Sequence, residues 1–135
     1  MSTQLVLRAA TAADLMTPGP VSLVASATAG EATYFLTTRG FGAAMVIDDA
    51  GRAVGVVTKT DLLIHTRERA RGSEPDDTPV ADVMTPAVFA VREDTPARTV
   101  IEHFLGLNVH HLFVTDAAGV VIGIISPVDV LKRLD

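Results

Sequence analysis

Cysteine is absent from the 135-residue chain. That excludes disulfides, thiolate metal sites and a cysteine nucleophile. Positive charge is scarce: 11 Lys and Arg stand against 16 Asp and Glu, for a net charge of −5. No Lys- and Arg-rich run interrupts that balance, so phosphate backbones are repelled and nucleic acid is not an expected partner. Long hydrophobic runs are missing too. The longest, Ala117 to Ile125, contains two glycines and is too short to span a bilayer. The first eight residues lack the basic-then-apolar order of a targeting segment. The expected location is therefore cytoplasmic, without membrane contact. Charged residues make up only 20% and hydrophobic ones 48%. A small chain of that kind is expected to place surplus apolar surface in an oligomer interface or a ligand pocket.

What the chain does have is an internal repeat. Asp14-Leu15-Met16-Thr17-Pro18 recurs as Asp82-Val83-Met84-Thr85-Pro86, an offset of 82 − 14 = 68. The same offset relates Val46 to Val114, Asp48 to Asp116, Gly51 to Gly119, Gly55 to Gly123, Thr58 to Ser126, Asp61 to Asp129 and Leu63 to Leu131. A register kept without insertion, with glycines and carboxylates in step, marks two copies of one unit.

Each copy predicts the same elements. A short helix ends at Met-Thr-Pro, because proline disfavours helical geometry in the residue before it. An extended segment follows, Val21 to Val24 and Val88 to Val91. A helix comes next, opened by Thr28 with Glu31 at capping-box spacing and by Thr95 before Pro96. Two strands then flank Asp48-Asp49-Ala50-Gly51 and Asp116-Ala117-Ala118-Gly119, where the terminal glycine suits a tight hairpin turn. A last helix, Thr60 to about Arg69 and Pro127 to Leu134, closes each copy. The order is β-α-β-β-α, twice. Near-continuous apolar strands predict sheets covered on both faces. The boundaries are residues 10–68 for the first repeat, 69–78 for a linker and 79–135 for the second. The charge-dense stretch from Arg67 to Pro79 reads as solvated linker.

These motifs resemble the CBS-domain family: the Met-Thr-Pro entry, the Asp-x-x-Gly hairpin and a closing Gly-x-x-Thr/Ser-x-x-Asp. The closings here are Gly55-Val56-Val57-Thr58-Lys59-Thr60-Asp61 and Gly123-Ile124-Ile125-Ser126-Pro127-Val128-Asp129. The likeness runs from about Ala10 to Leu134. It implies an α/β (α+β) fold in which two pseudo-symmetric β-α-β-β-α units pack through their sheets, as a Bateman module. It also implies two clefts that each take an adenosine-type ligand: AMP, ADP, ATP or S-adenosylmethionine. In that family the closing Asp (here Asp61 and Asp129) holds the ribose hydroxyls, and the Thr or Ser (Thr58, Ser126) holds phosphate with the helix start. The segment after the other repeat's Met-Thr-Pro lines the base, which points to Thr17, Val21, Thr85, Val88 and Phe89. No cofactor is required, and with ATP a magnesium ion is compatible.

Elementary chemistry agrees with those roles. A helix N-terminus offers unpaired N–H groups and a positive dipole end, and a carboxylate accepts two bonds from adjacent hydroxyls. The same spacings also cap helices, and Pro127 at a first helical position fits a cap equally well. Both readings stand together, since one residue caps the empty helix and holds ligand when occupied. Arg39, Lys59, Arg92 and Arg98 are candidate phosphate contacts, or else solvated charges. Lys59 has no counterpart, because Pro127 stands there; Gly19-Pro20 likewise replaces Ala87-Val88.

Among the histidines, His110 and His111 are neighbours at a strand entry and so point to opposite faces. With His103 on a helix and no carboxylate beside the pair, they do not make a metal site. His110 is the one placed toward a cleft and a phosphate. No nucleophile with a base and no carboxylate pair is legible, so an enzyme is not expected. The expected function is a stand-alone regulatory module that binds an adenosyl ligand, forms a homodimer and signals to an unknown regulated protein. The alternative is a ligand-free dimerisation or partner-docking module.

Overall fold

In the computed structural model, residues 5–19, 22–69 and 76–135 are described. Val21 falls outside them. Among the described residues, five helices and seven strands follow one another as α1 (Ala12–Leu15), β1 (Thr17–Pro18), β2 (Ser22–Val24), α2 (Ala29–Arg39), β3 (Ala43–Ile47), β4 (Ala53–Thr58), α3 (Lys59–Glu68), β5 (Ala90–Arg92), α4 (Ala97–Leu107), β6 (Leu112–Thr115), β7 (Val121–Ile125) and α5 (Pro127–Leu131). A 3-10 turn at Val80–Asp82 precedes β5. The expected β-α-β-β-α order therefore occurs twice, from β2 to α3 and from β5 to α5, in a mixed α and β fold with two sheets.

The compact units do not coincide with the two repeats. Unit 1 joins residues 5–19 to 89–135, and unit 2 comprises the described part of 22–88. The unit 2 sheet has the order β2-β3-β4, with β2 parallel and β4 antiparallel to β3. The unit 1 sheet has the order β1-β7-β6-β5, with β5 parallel to β6 and β7 antiparallel to it. Its extra strand, β1, is the first repeat's Thr17-Pro18. It lies antiparallel to β7 of the second repeat, Thr17 opposite Ile124 and Pro18 opposite Gly123. Unit 2 has the mirror arrangement: Thr85 forms an antiparallel bridge to Val56, with reciprocal N–H···O bonds of 2.9 and 2.8 Å. Each Met-Thr-Pro thus completes the sheet of the opposite repeat.

Each unit has its own apolar core. In unit 2 Leu36, Val46, Val57, Leu62 and Val80 are buried together; in unit 1 the corresponding Phe104, Val114 and Ile125 join Leu15 and Val130. Strand β3 is buried at four successive residues and β6 at three, as apolar runs without polar alternation require. In both hairpins the aspartate fixes the turn: Asp48 accepts the N–H groups of Ala50 and Arg52, and Asp116 those of Ala118 and Val120. Gly51 and Gly119 follow at φ +80 and +84, where a side chain would be strained.

Two expectations are corrected. Helix α5 ends at Leu131 instead of Leu134, because the chain end turns into pairing: Leu134 bridges Leu7, and Val6 and Asp135 exchange backbone bonds of 2.9 and 3.0 Å. The linker is not solvated throughout either. Asp76 and Thr78 offer their carbonyls to the N–H groups of Gly30 and Ala29, at 3.3 and 2.7 Å, satisfying free donors at the start of α2.

Candidate ligand site

Both closing motifs sit where a strand turns into a helix. Thr58 and Ser126 are extended N-cap residues, at φ −115 in each case. In unit 2 the Asp61 carboxylate divides its two oxygens. Oδ2 accepts the Thr58 backbone N–H at 2.9 Å, while Thr58 Oγ1 accepts the Asp61 N–H at 3.1 Å. Oδ1 accepts the hydroxyl of Thr85 at 3.1 Å. In unit 1, Asp129 Oδ2 accepts the backbone N–H and the hydroxyl of Ser126, at 2.8 and 3.1 Å. Its Oδ1 faces Thr17 Oγ1 at 3.5 Å.

Sequence spacing alone allowed either a cap or a ligand contact at these positions. The geometry provides the cap with one carboxylate oxygen and directs the other at an exposed threonine. Thr17, Ser126 and Asp129 come together in unit 1, and Thr58, Asp61 and Thr85 in unit 2. The threonines arrive from the opposite repeat through the strand exchange described above.

Two glycines make that approach possible. A Cβ on Gly55 would lie 2.5 Å from Met84 Sδ and 2.7 Å from the Thr85 carbonyl oxygen. On Gly123 it would lie 2.6 Å from Met16 Sδ and 2.9 Å from the Thr17 carbonyl oxygen. The methionines thus roof the glycines of the closing motifs. The signal was in the sequence, as a Met and a Gly that each recur at the same offset, but their pairing was not.

The remaining candidates are more dispersed. Val88 is half-buried and Phe89 is 39% exposed. The Phe89 carbonyl accepts the Phe113 N–H at 3.1 Å, which fixes it at the entry to edge strand β5. His110 is exposed just before β6. Since Leu112 pairs with Ile125, His110 belongs to the end of the sheet where α5 begins. Its counterpart in unit 2 is Gly42, whose carbonyl accepts the Lys59 N–H at 3.1 Å. Pro127 has no such N–H to give. Arg39 stands over the Phe35 ring at 5.5 Å; Lys59, Arg92 and Arg98 are exposed. Among the described residues, no group of three or more His, Cys, Asp and Glu is placed to hold a metal, and no helix is long and apolar enough to cross a membrane.

The family model described as CBS domain matches residues 12–68 and 80–135. A CBS domain protein of Pyrobaculum aerophilum, solved in complex with AMP, is 25% identical with a TM-score of 0.76; 88% of each chain is covered. The protein CBSX2, also solved with AMP, is 27% identical at a TM-score of 0.72, over 92% of this chain and 95% of that one. The cytosolic domain of the Mg2+ channel MgtE, solved with ATP, is 30% identical at a TM-score of 0.72, over 91% of this chain and 48% of that one. Of the curated relatives it matches, the chain spans between 20% and 62% of their length.

Proposed function

Because the chain belongs to the CBS-domain family, we propose that it is a cytoplasmic regulatory module, not an enzyme, that binds an adenosine-type ligand and passes its occupancy to a partner protein. The observation that carries this reading is the divided carboxylate. Asp61 and Asp129 each cap a helix with Oδ2 and direct Oδ1 toward an exposed threonine hydroxyl. An oxygen in that position keeps a second lone pair with which to accept a ribose hydroxyl while the threonine holds the carboxylate in place. The AMP and ATP complexes of proteins 25–30% identical support the ligand class.

In this reading Asp61 and Asp129 take the ribose, and Thr58 and Ser126 contribute donors beside it. Thr17 stands beside the base in unit 1, and Thr85 and Val88 in unit 2; Phe89, in unit 1, and Val21, outside the described residues, are the other candidates for base contacts, and His110 serves a phosphate near α5. The two sites are unequal. Lys59 gives unit 2 a cation at the helix start, where unit 1 has Pro127. No cofactor is needed, and magnesium enters only with ATP.

Isothermal titration with AMP, ADP, ATP and S-adenosylmethionine tests the proposal. Binding of at least one is expected, with one site lost in Asp61→Ala and the other in Asp129→Ala. Binding that survives both substitutions unchanged removes these residues from the site. No heat with any of the four ligands, from protein that remains folded, favours a docking module that binds nothing small.

A further inference from the structure

A groove of about 490 Å³ runs along α2 beside Leu23 of β2. Its middle is apolar and aromatic. Leu23 and Phe35 are half-buried against the unit 2 core, and Tyr34 stands 72% exposed. Glu31 lines one end and Arg39 the other. The two lie 39 − 31 = 8 residues apart, about 12 Å along a helix. Among the described residues, neither charge has an ion-pair partner. Arg39 is held over the Phe35 ring at 5.5 Å, and that ring meets Phe41 at 6.2 Å. A guanidinium placed on an aromatic face still presents its forked N–H donors to a carboxylate.

Folding of the unit does not require this face. The buried side of α2 keeps its character at the 68-residue offset: Ala29, Ala32 and Leu36 correspond to Ala97, Val100 and Phe104, all buried. The groove side does not. Tyr34, Phe35, Arg39 and Phe41 correspond to Glu102, His103, Leu107 and Val109, yet α4 forms a helix of the same 11 residues without them. The aromatic pair and its arginine are therefore surplus to the fold. Tyr, Phe and Arg are also the side chains enriched where proteins recognise one another.

We propose that this groove takes an extended segment of a partner protein, with a cation against Glu31, an apolar side chain on Tyr34 and Phe35, and a carboxylate on Arg39. Strand β2 is an edge of its sheet, and a sheet edge favours an extended chain alongside it. In such a chain alternate side chains face one way, and each residue advances about 3.3 Å. Positions i, i+2 and i+4 thus share a face, and i to i+4 spans about 13 Å. That span matches the separation of the two charges. The recognised pattern is cation-x-apolar-x-carboxylate, in either chain direction. This contact rests on the regulatory reading above, for which it is the partner surface. It is measured without nucleotide, so its failure and the failure of nucleotide binding are separate results.

Titration of end-capped peptides into the isotope-labelled chain, followed by NMR, tests the proposal. The probes are Thr-Lys-Thr-Leu-Thr-Glu-Thr and the same residues in reverse order. At least one is expected to bind and to shift the amide signals of Glu31 to Arg39. A peptide with its Glu moved one position nearer the Leu turns that carboxylate to the opposite face, and it should bind clearly more weakly. Arg39→Glu is expected to weaken binding roughly tenfold, since an attraction becomes a repulsion of like size. Binding should return when the peptide Glu is replaced by Lys. Tyr34→Ala, a change at an exposed position that leaves the helix end untouched, is expected to weaken binding about fivefold. No shift with either probe overturns the proposal, as does equal binding of the displaced peptide. So do shifts confined to the surroundings of Asp61 and Asp129, or undiminished binding in both variants. Shifts of the Glu31–Arg39 amides on dilution without peptide would assign the groove to a second copy and overturn it too.

Discussion

Gly55 lies directly under Met84, so that a Cβ at Gly55 would stand 2.5 Å from the methionine sulfur and 2.7 Å from the Thr85 carbonyl oxygen. The sulfur belongs to a flexible side chain and yields. The carbonyl belongs to a backbone bridge with Val56 and does not. Gly55→Ala is therefore expected to destabilise by about 2 kcal/mol, within the range for overpacking. Gly123→Ala, under Met16 and Thr17, should behave alike. Urea denaturation midpoints measure both, and Gly106→Ala, where nothing lies within 4 Å, is the control expected to show no loss.

Asn108 ends α4 in the left-handed region at φ 54, and Gly40 ends α2 in the same place at φ 71. Glycine adopts that conformation freely, asparagine tolerates it and a β-branched residue does not. Asn108→Gly is expected to be neutral or slightly stabilising. Gly40→Val should cost roughly 1–2 kcal/mol. Thermal melts of the two variants give opposite or clearly unequal shifts if the caps are as described.

Acid should loosen unit 2 through Asp76. Burial pushes its carboxyl up, but hydrogen bonds from His65 and Thr78 and the charge of His65 outweigh that and hold it below its ordinary value of 3.8. His65 Nε2 lies 2.9 and 3.1 Å from the two oxygens. The carboxylate form is thus favoured more in the folded than in the unfolded chain. Its contribution is complete above the unfolded value and is lost as pH falls through the lower folded one. Urea midpoints taken from about pH 5 downward should fall in the natural chain and fall less in Asp76→Asn. Identical slopes would sink the assignment. Asp14 adds an effect of the same sign, since the N–H groups of Ala10 and Thr11 lower it.

Thr85→Val keeps the shape of the side chain and removes the hydroxyl that Asp61 Oδ1 accepts. Stability should change by less than about 1 kcal/mol, because Thr85 is exposed. If the hydroxyl aligns the carboxylate for ribose, AMP affinity at one of two sites weakens by roughly fivefold, the scale of one net hydrogen bond. Calorimetry that finds neither site altered removes Thr85 from that role.

Much of this architecture was legible because it is periodic. The constant offset carried both hairpins, both capping aspartates and the paired order of elements, each enforced by residues close together in sequence. What was not legible is non-local. Nothing local in Thr17-Pro18 announces a partner at Ile124 and Gly123, more than a hundred residues away. A two-residue strand has no pattern to read. The docking of Asp76 on His65 and Gly30 was hidden in a stretch whose composition reads as linker. For the candidate site, spacing identified the carboxylates and their caps, but it is the folded chain that directs the second oxygen at a threonine from the opposite repeat.

The strand exchange also orders events in time. Unit 2 is one stretch of sequence, whereas unit 1 is assembled from the segments on either side of it. On a ribosome, every strand of the β2-β3-β4 sheet has emerged long before β7 exists. Thr17 and Pro18 must therefore wait, unpaired, until β7 has been added. A waiting strand risks pairing with a stranger. This one is only two residues long and ends in a proline that has no N–H to offer, which makes the delay safer.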